Sequence, residues 1–135
     1  MICLADEPGG GFRVACYHES LEPFMRRGRE LAAEGLEGMD RQRRRWEDVE
    51  AGEVSVPEDP AMVYNLGFPD EAIDPDTVDW RRGSRLHALY TPYATAESTG
   101  LSTEGSRSEP WLMFPGRPSA HIMIFPPRDE SGGGN

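Results

Sequence analysis

The chain has 135 residues and a formal net charge of −10, from 24 acidic and 14 basic side chains. One core is expected at this length, and the acidic balance excludes a general nucleic-acid binder or a protein docked on anionic lipid, since both need a basic face. Every basic residue apart from the three His is Arg, which excludes the usual Walker phosphate loop, pyridoxal phosphate and Schiff-base chemistries, because each needs a Lys amine.

The first 17 residues hold both cysteines, Cys3 and Cys16, with Pro8-Gly9-Gly10-Gly11 between them as a flexible turn. A bridge here would close a loop of about 13 residues and contribute about 3 kcal/mol. The alternative is two free thiols in a reducing compartment. A cysteine zinc site would need other ligands.

Residues 20–50 read as helix. Ser20 is the expected N-cap, with Glu22 and Pro23 in the first turn. Leu21, Phe24, Met25, Gly28, Leu31, Ala32, Gly35, Leu36 and Met39 form one stripe at helical spacing. Gly35 and Gly38 predict a break, after which a second piece over about 40–50 turns Trp46 and Val49 inward. Gly52 is the expected stop. Arg41, Arg43, Arg44 and Arg45 form the one basic cluster. Glu47, Asp48, Glu50 and Glu53 follow at once, so the expectation is a solvated, salt-bridged helix face.

A loop over 53–60 leads to a strand over 61–68. An acidic loop over 69–84 and a second strand over 85–90 follow. Residues 94–109 are polar and mobile in composition. Two short strands, 110–114 and 120–125, are joined by Pro115-Gly116-Arg117-Pro118 as a hairpin. Residues 128–135 read as a flexible tail. The order is helix then strands, without strand–helix alternation. The predicted class is therefore α+β: a single domain with a small, mostly antiparallel sheet and one N-terminal helix, broken near Gly35, packed on one face.

Three constellations could carry chemistry. His18-Glu19-Ser20-Leu21-Glu22 approximates the zinc-protease pattern, but a helix that starts after His18 breaks the needed geometry. Cys16 and His18 could form a thiolate pair, unless Cys16 is bridged. His87 and His121 each lie inside an apolar strand. If those strands are neighbours, the two imidazoles could meet on one patch and hold a divalent metal, with His18, Glu19 or Met123 as a third ligand. The plain alternative is that each is a half-buried histidine satisfied by hydrogen bonds.

Several segments resemble a family of small, usually secreted bacterial proteins with no assigned activity. They are Met62-Val63-Tyr64-Asn65-Leu66-Gly67, the run from Gly83 through His87 to Pro92, and the hairpin from Pro110 to Ile124 with its Ala120-His121-Ile122-Met123 strand. The family also carries two cysteines around a Pro/Gly-rich stretch. This chain departs from it at Arg85-Leu86, where the family has Gly-Pro, and lacks the region before the first cysteine, so this start is expected to be internal to a longer precursor. The resemblance implies a periplasmic or extracellular location and a Cys3–Cys16 disulfide, and places His87 and His121 at the family's two histidine positions. No apolar run is long enough to span a membrane, and none marks a leader in this chain; the alternative location is cytoplasmic.

The expected function is that of an extracytoplasmic binding or assembly domain whose partner is a protein or a small molecule, without nucleic acid or membrane insertion. Its expected surface is the sheet face carrying His87, Tyr90, Trp111, His121 and Met123. The alternative is a metal-binding protein or metal-dependent enzyme using His87 and His121.

Overall fold

Six strands form one antiparallel sheet: β1 (Ile2–Ala5), β2 (Phe12–Tyr17), β3 (Ala61–Phe68), β4 (Ser84–Tyr90), β5 (Trp111–Met113) and β6 (His121–Ile124). Their spatial order is β1-β2-β3-β4-β6-β5. The computed structural model describes residues 1–5, 12–68 and 83–127. The expected Gly-rich turn, most of the 69–84 loop and the 128–135 tail lie outside the described residues.

The α+β expectation holds, and the strands over 61–68, 84–90, 111–113 and 121–124 fall where apolar alternation places them. Two further strands, β1 and β2, occupy the segment that reads from sequence only as a cysteine loop. They pair antiparallel with Cys3 directly opposite Cys16, and the two form a disulfide. Such a bond is compatible with an extracellular location.

Between β2 and β3 the chain leaves the sheet to build the helical layer. A single 3-10 turn, Glu19–Leu21, opens it. Its cap is His18, correcting the expected Ser20: the Ser20 N–H donates to His18 Nδ1 at 3.2 Å. Helix α1 (Glu22–Ala33) then begins with Pro23 in its first turn. Phe24, Gly28 and Leu31 are its buried residues, at the spacing of one helical face. The helix ends where expected. Gly35 takes φ +95°, and Leu36 N–H reaches back to Leu31 O at 3.0 Å, closing the terminus in a turn that needs a left-handed residue. Helix α2 (Gly38–Glu50) runs back along α1 and stops at Gly52, φ +79°, in the same way.

Both helices lie on one face of the sheet. Tyr17, Leu21, Ala61, Val63 and Ala88 form the shared core, with Met25, Tyr90 and Met123 packed against it. Between β4 and β5, residues 94–109 are ordered by local hydrogen bonds. Thr95 and Ser98 cap each other across the short helix α3 (Ala96–Thr99), and Ser106 accepts from the backbone of Ser108 and Glu109. Polar composition there reflects capping chemistry. No helix among the described residues is long and apolar enough to cross a membrane.

Candidate functional site

In an antiparallel ladder, opposite residues share a face and successive residues alternate. Tyr90 stands opposite His121, and His87 stands opposite Ile124. His87 lies three residues from Tyr90, so the two leave the sheet on opposite sides. This corrects the expected patch. Strands β4 and β6 are neighbours, as proposed, but His87 faces outward and His121 faces the helices, so one ion cannot reach both. Periodicity relates a histidine only to its own strand, and cross-strand register decides the rest. His18 is occupied as a cap, with Nδ1 2.8 Å from Ser20 Oγ. Cys16 is spent in the disulfide, which removes a thiolate pair with His18. Among the described residues, no three His, Cys, Asp or Glu side chains are grouped to hold a metal.

On the outer face, the His87 ring packs edge-on against Tyr64, with centroids 5.0 Å apart. The two share a shallow depression of about 230 Å³ with Cys16 and Arg85. His87 Nδ1 is buried there without a hydrogen-bond partner.

The inner face holds a larger cleft of about 430 Å³ between sheet and helices. Three cross-strand rows make its floor. Tyr90 and His121 form the first row. Tyr17, Val63, Ala88 and Met123 form the second. Leu4, Ala15, Asn65 and Leu86 form the third. Met25, Gly28, Arg29 and Ala32 of α1 and Arg41 and Arg45 of α2 complete the lining. Three of the expected surface residues, Tyr90, His121 and Met123, therefore do share a site. Trp111 stands opposite Met123 on the edge strand, but its ring lies beside Gly105, away from the cleft.

An arc of aromatic rings supports the first row. Phe24 of α1 meets Tyr90 with centroids 6.5 Å apart, and Tyr90 stacks on His121 at 4.7 Å. Phe114 meets His121 and Trp46 edge-on at 5.8 and 5.2 Å. The His121 ring is oriented by Nδ1, which donates to Ser119 O at 2.7 Å. A carbonyl can only accept, so the neutral ring carries its proton on Nδ1 and leaves Nε2 as an acceptor. Burial holds the His121 pKa below the ordinary histidine range, against a smaller opposing effect of that hydrogen bond.

Arg45 gives the cleft its charge. Only 7 % of the residue is exposed. Its guanidinium lies 4.1 Å from the centroid of the Phe24 ring, and Nη1 donates to Phe24 O at 3.4 Å. Nε has no partner, and neither does Arg41 Nε one helical turn earlier. No ion pair among the described residues includes either arginine. Burial pushes Arg45 down to about 10, with Tyr90 opposing the fall and Arg41 adding to it.

The basic cluster is therefore divided. Arg43 pairs with Asp40 at 3.3 Å and Arg44 with Asp48 at 3.4 Å, as expected of a salt-bridged face. Arg41 and Arg45 turn inward instead, which the sequence reading missed. A signal was present. Met39, Trp46 and Val49 are the only large apolar residues of α2, so a face that turns Trp46 and Val49 inward carries the polar residues four positions earlier, Gln42 and Arg45, inward with it. Arg29, the third arginine of the cleft, is neutralised by Glu22 and also donates to Tyr17 Oη at 3.0 Å.

Gly28 makes room for the Arg45 head. A Cβ at position 28 would lie 2.7 Å from Arg45 Nη1. The glycine that reads as part of an apolar stripe thus serves the approach of a charged group.

Comparison with known proteins finds no matching family model, no matching curated protein and no matching solved structure.

Proposed function

We propose that the chain is an extracytoplasmic binding domain that holds a small anionic ligand in the cleft between its helices and its sheet. One observation carries this reading: a guanidinium 7 % exposed that no carboxylate among the described residues pairs with. Burying an uncompensated charge costs several kcal/mol. A desolvated ring face returns about 2 kcal/mol, and a 3.4 Å bond to a carbonyl adds little. A second guanidinium on the same helix face adds repulsion. A carboxylate on a ligand would offset one of these charges and a phosphate dianion both, and the planar fork of Arg matches those anions in two-point contact. The disulfide supports the extracytoplasmic location, since such bonds persist in oxidising compartments.

The test is thermal unfolding in a zwitterionic buffer, with and without added acetate or inorganic phosphate. Without anion, Arg45→Met is expected to be at least as stable as the natural chain, by up to about 3 kcal/mol, because an apolar group of similar length replaces an unpaired charge. Anion at 100 times its Kd should stabilise the natural chain by about 2.7 kcal/mol and leave Arg45→Met unmoved. Gly28→Ala keeps the charge but displaces it, and should weaken the response. The response should be level at neutral pH and fall as pH rises through about 10, where Arg45 loses its proton. A natural chain whose melting temperature ignores both anions overturns the proposal.

A further inference from the structure

Three arginines line the cleft, and Arg29 is paired with Glu22, so Arg41 and Arg45 are its unpaired cations among the described residues. Arg45 reaches the first row of the floor through Phe24, whose ring meets Tyr90. From the Tyr90 row to the Leu86 row is four residues along β4, a run of about 13 Å at strand spacing. Over that run the floor changes from Tyr90 and His121 to Ala88 and then Leu86, beneath Met25 and Ala32 of α1. A site for inorganic phosphate or a small diacid would surround its ligand with donors. Here the unpaired guanidinium groups are those of Arg41 and Arg45, and the third row is aliphatic at Leu4, Ala15 and Leu86, its amide Asn65 being turned to Leu86 O at 3.3 Å. The cleft volume, about 430 Å³, lies within the usual range for sites of small organic ligands.

We infer that the ligand is an amphipathic monocarboxylic acid with an unbranched, medium-length chain. Its carboxylate sits at Arg45 and Arg41, and its tail lies along Ala88 and Leu86. This rests on the anion-cleft reading and adds the chemical class. The carboxylate gains two-point donation from a guanidinium already held against the Phe24 ring, with Arg41 one helical turn away. The tail gains by leaving water. A fully buried methylene is worth about fourfold in affinity. A cleft open to solvent along one side should return about half of that free energy, or about twofold per methylene.

Calorimetric titration of the intact, oxidised chain with acetate, butyrate, hexanoate, octanoate and inorganic phosphate tests the assignment. Affinity is expected to climb about twofold per methylene, so that octanoate binds roughly sixtyfold tighter than acetate. Ala32 is exposed on α1, so Ala32→Glu should fold normally. It brings a carboxylate to the tail end and should weaken octanoate several-fold more than acetate. Phosphate and acetate binding as tightly as octanoate would overturn the amphipathic class while leaving an anion cleft in place. Octanoate binding equally well to Arg45→Met would overturn both readings, because the head contact would then contribute nothing.

Discussion

Arg45 shows how much a residue's meaning depends on its neighbours. Its sequence surroundings, with acids at 47, 48, 50 and 53, suit a solvated cation. Its position one helical turn before Val49 takes it beneath α1 instead, against Phe24 and Gly28. Asp48, 5 % exposed, is the opposite case: it is buried but paired, with Arg27 Nε at 2.6 Å. That pair joins α1 to α2 and needs no ligand. His121 lies between these cases, buried and hydrogen-bonded yet able to titrate. Its folded-state pKa is lowered chiefly by burial, so on acidification the unfolded chain takes up this proton first. The contribution of His121 to stability is therefore flat above the ordinary histidine range and falls as pH drops below about 6.5, by at most about 1.4 kcal/mol per pH unit. In His121→Phe, which keeps a ring against Tyr90, the stability curve should lose that component. Identical pH profiles for the two proteins between pH 7 and 5 would contradict the assignment.

At the scale of elements, the local signals agreed with the structure wherever a segment's own chemistry decides its form. The Gly35 break, the Gly52 stop and the β5–β6 hairpin are all of this kind. Strands β1 and β2 were illegible because their apolar residues face both ways. Val14 and Cys16 leave on one side and Ala15 and Tyr17 on the other, as the pairing with β3 requires, so no single alternation stands out. Strand β1 is an edge strand, and Leu4 is 41 % exposed. Its hold on the sheet rests on one ladder and the Cys3–Cys16 bond. Replacing both cysteines by Ser is expected to cost about 3 kcal/mol or less. Amide exchange should then become fast in β1 while β3 and β4 stay protected. Equal loss of protection across all the strands would show that β1 is integral to the cooperative unit. Because Leu4 lines the third row of the cleft, the same variant should also weaken binding at the tail end.

For the whole molecule, the central question is how the helical layer is docked at the angle that leaves a cleft. One end is anchored. Trp46 Nε1 donates to Ser119 Oγ at 2.7 Å across 73 positions of sequence. Trp46 is also edge-on to Phe114 and has Arg117 4.9 Å from its ring centroid. Phe114 holds φ +56°, a left-handed backbone unusual for an aromatic residue, within the connection that carries Ser119 to this contact. Trp46→Phe removes the buried donor and part of the ring. It should cost about 1–3 kcal/mol in unfolding free energy and lower anion affinity by loosening α2. A stable variant with unchanged binding would mean that the docking is carried elsewhere.

By itself the sequence determined what short-range chemistry controls: the class of fold, the helix break and ends, the positions of four strands, and the exclusion of Lys-dependent chemistry. Only the tertiary structure decided which side chains meet. Cross-strand register put His87 and His121 on opposite faces, and the packing of α2 around Trp46 drew Arg41 and Arg45 inward. The physical reason is that a strand's period is two residues and a helix's is 3.6. Periodicity orders side chains within one element, whereas the relative phase of two elements is set by their packing.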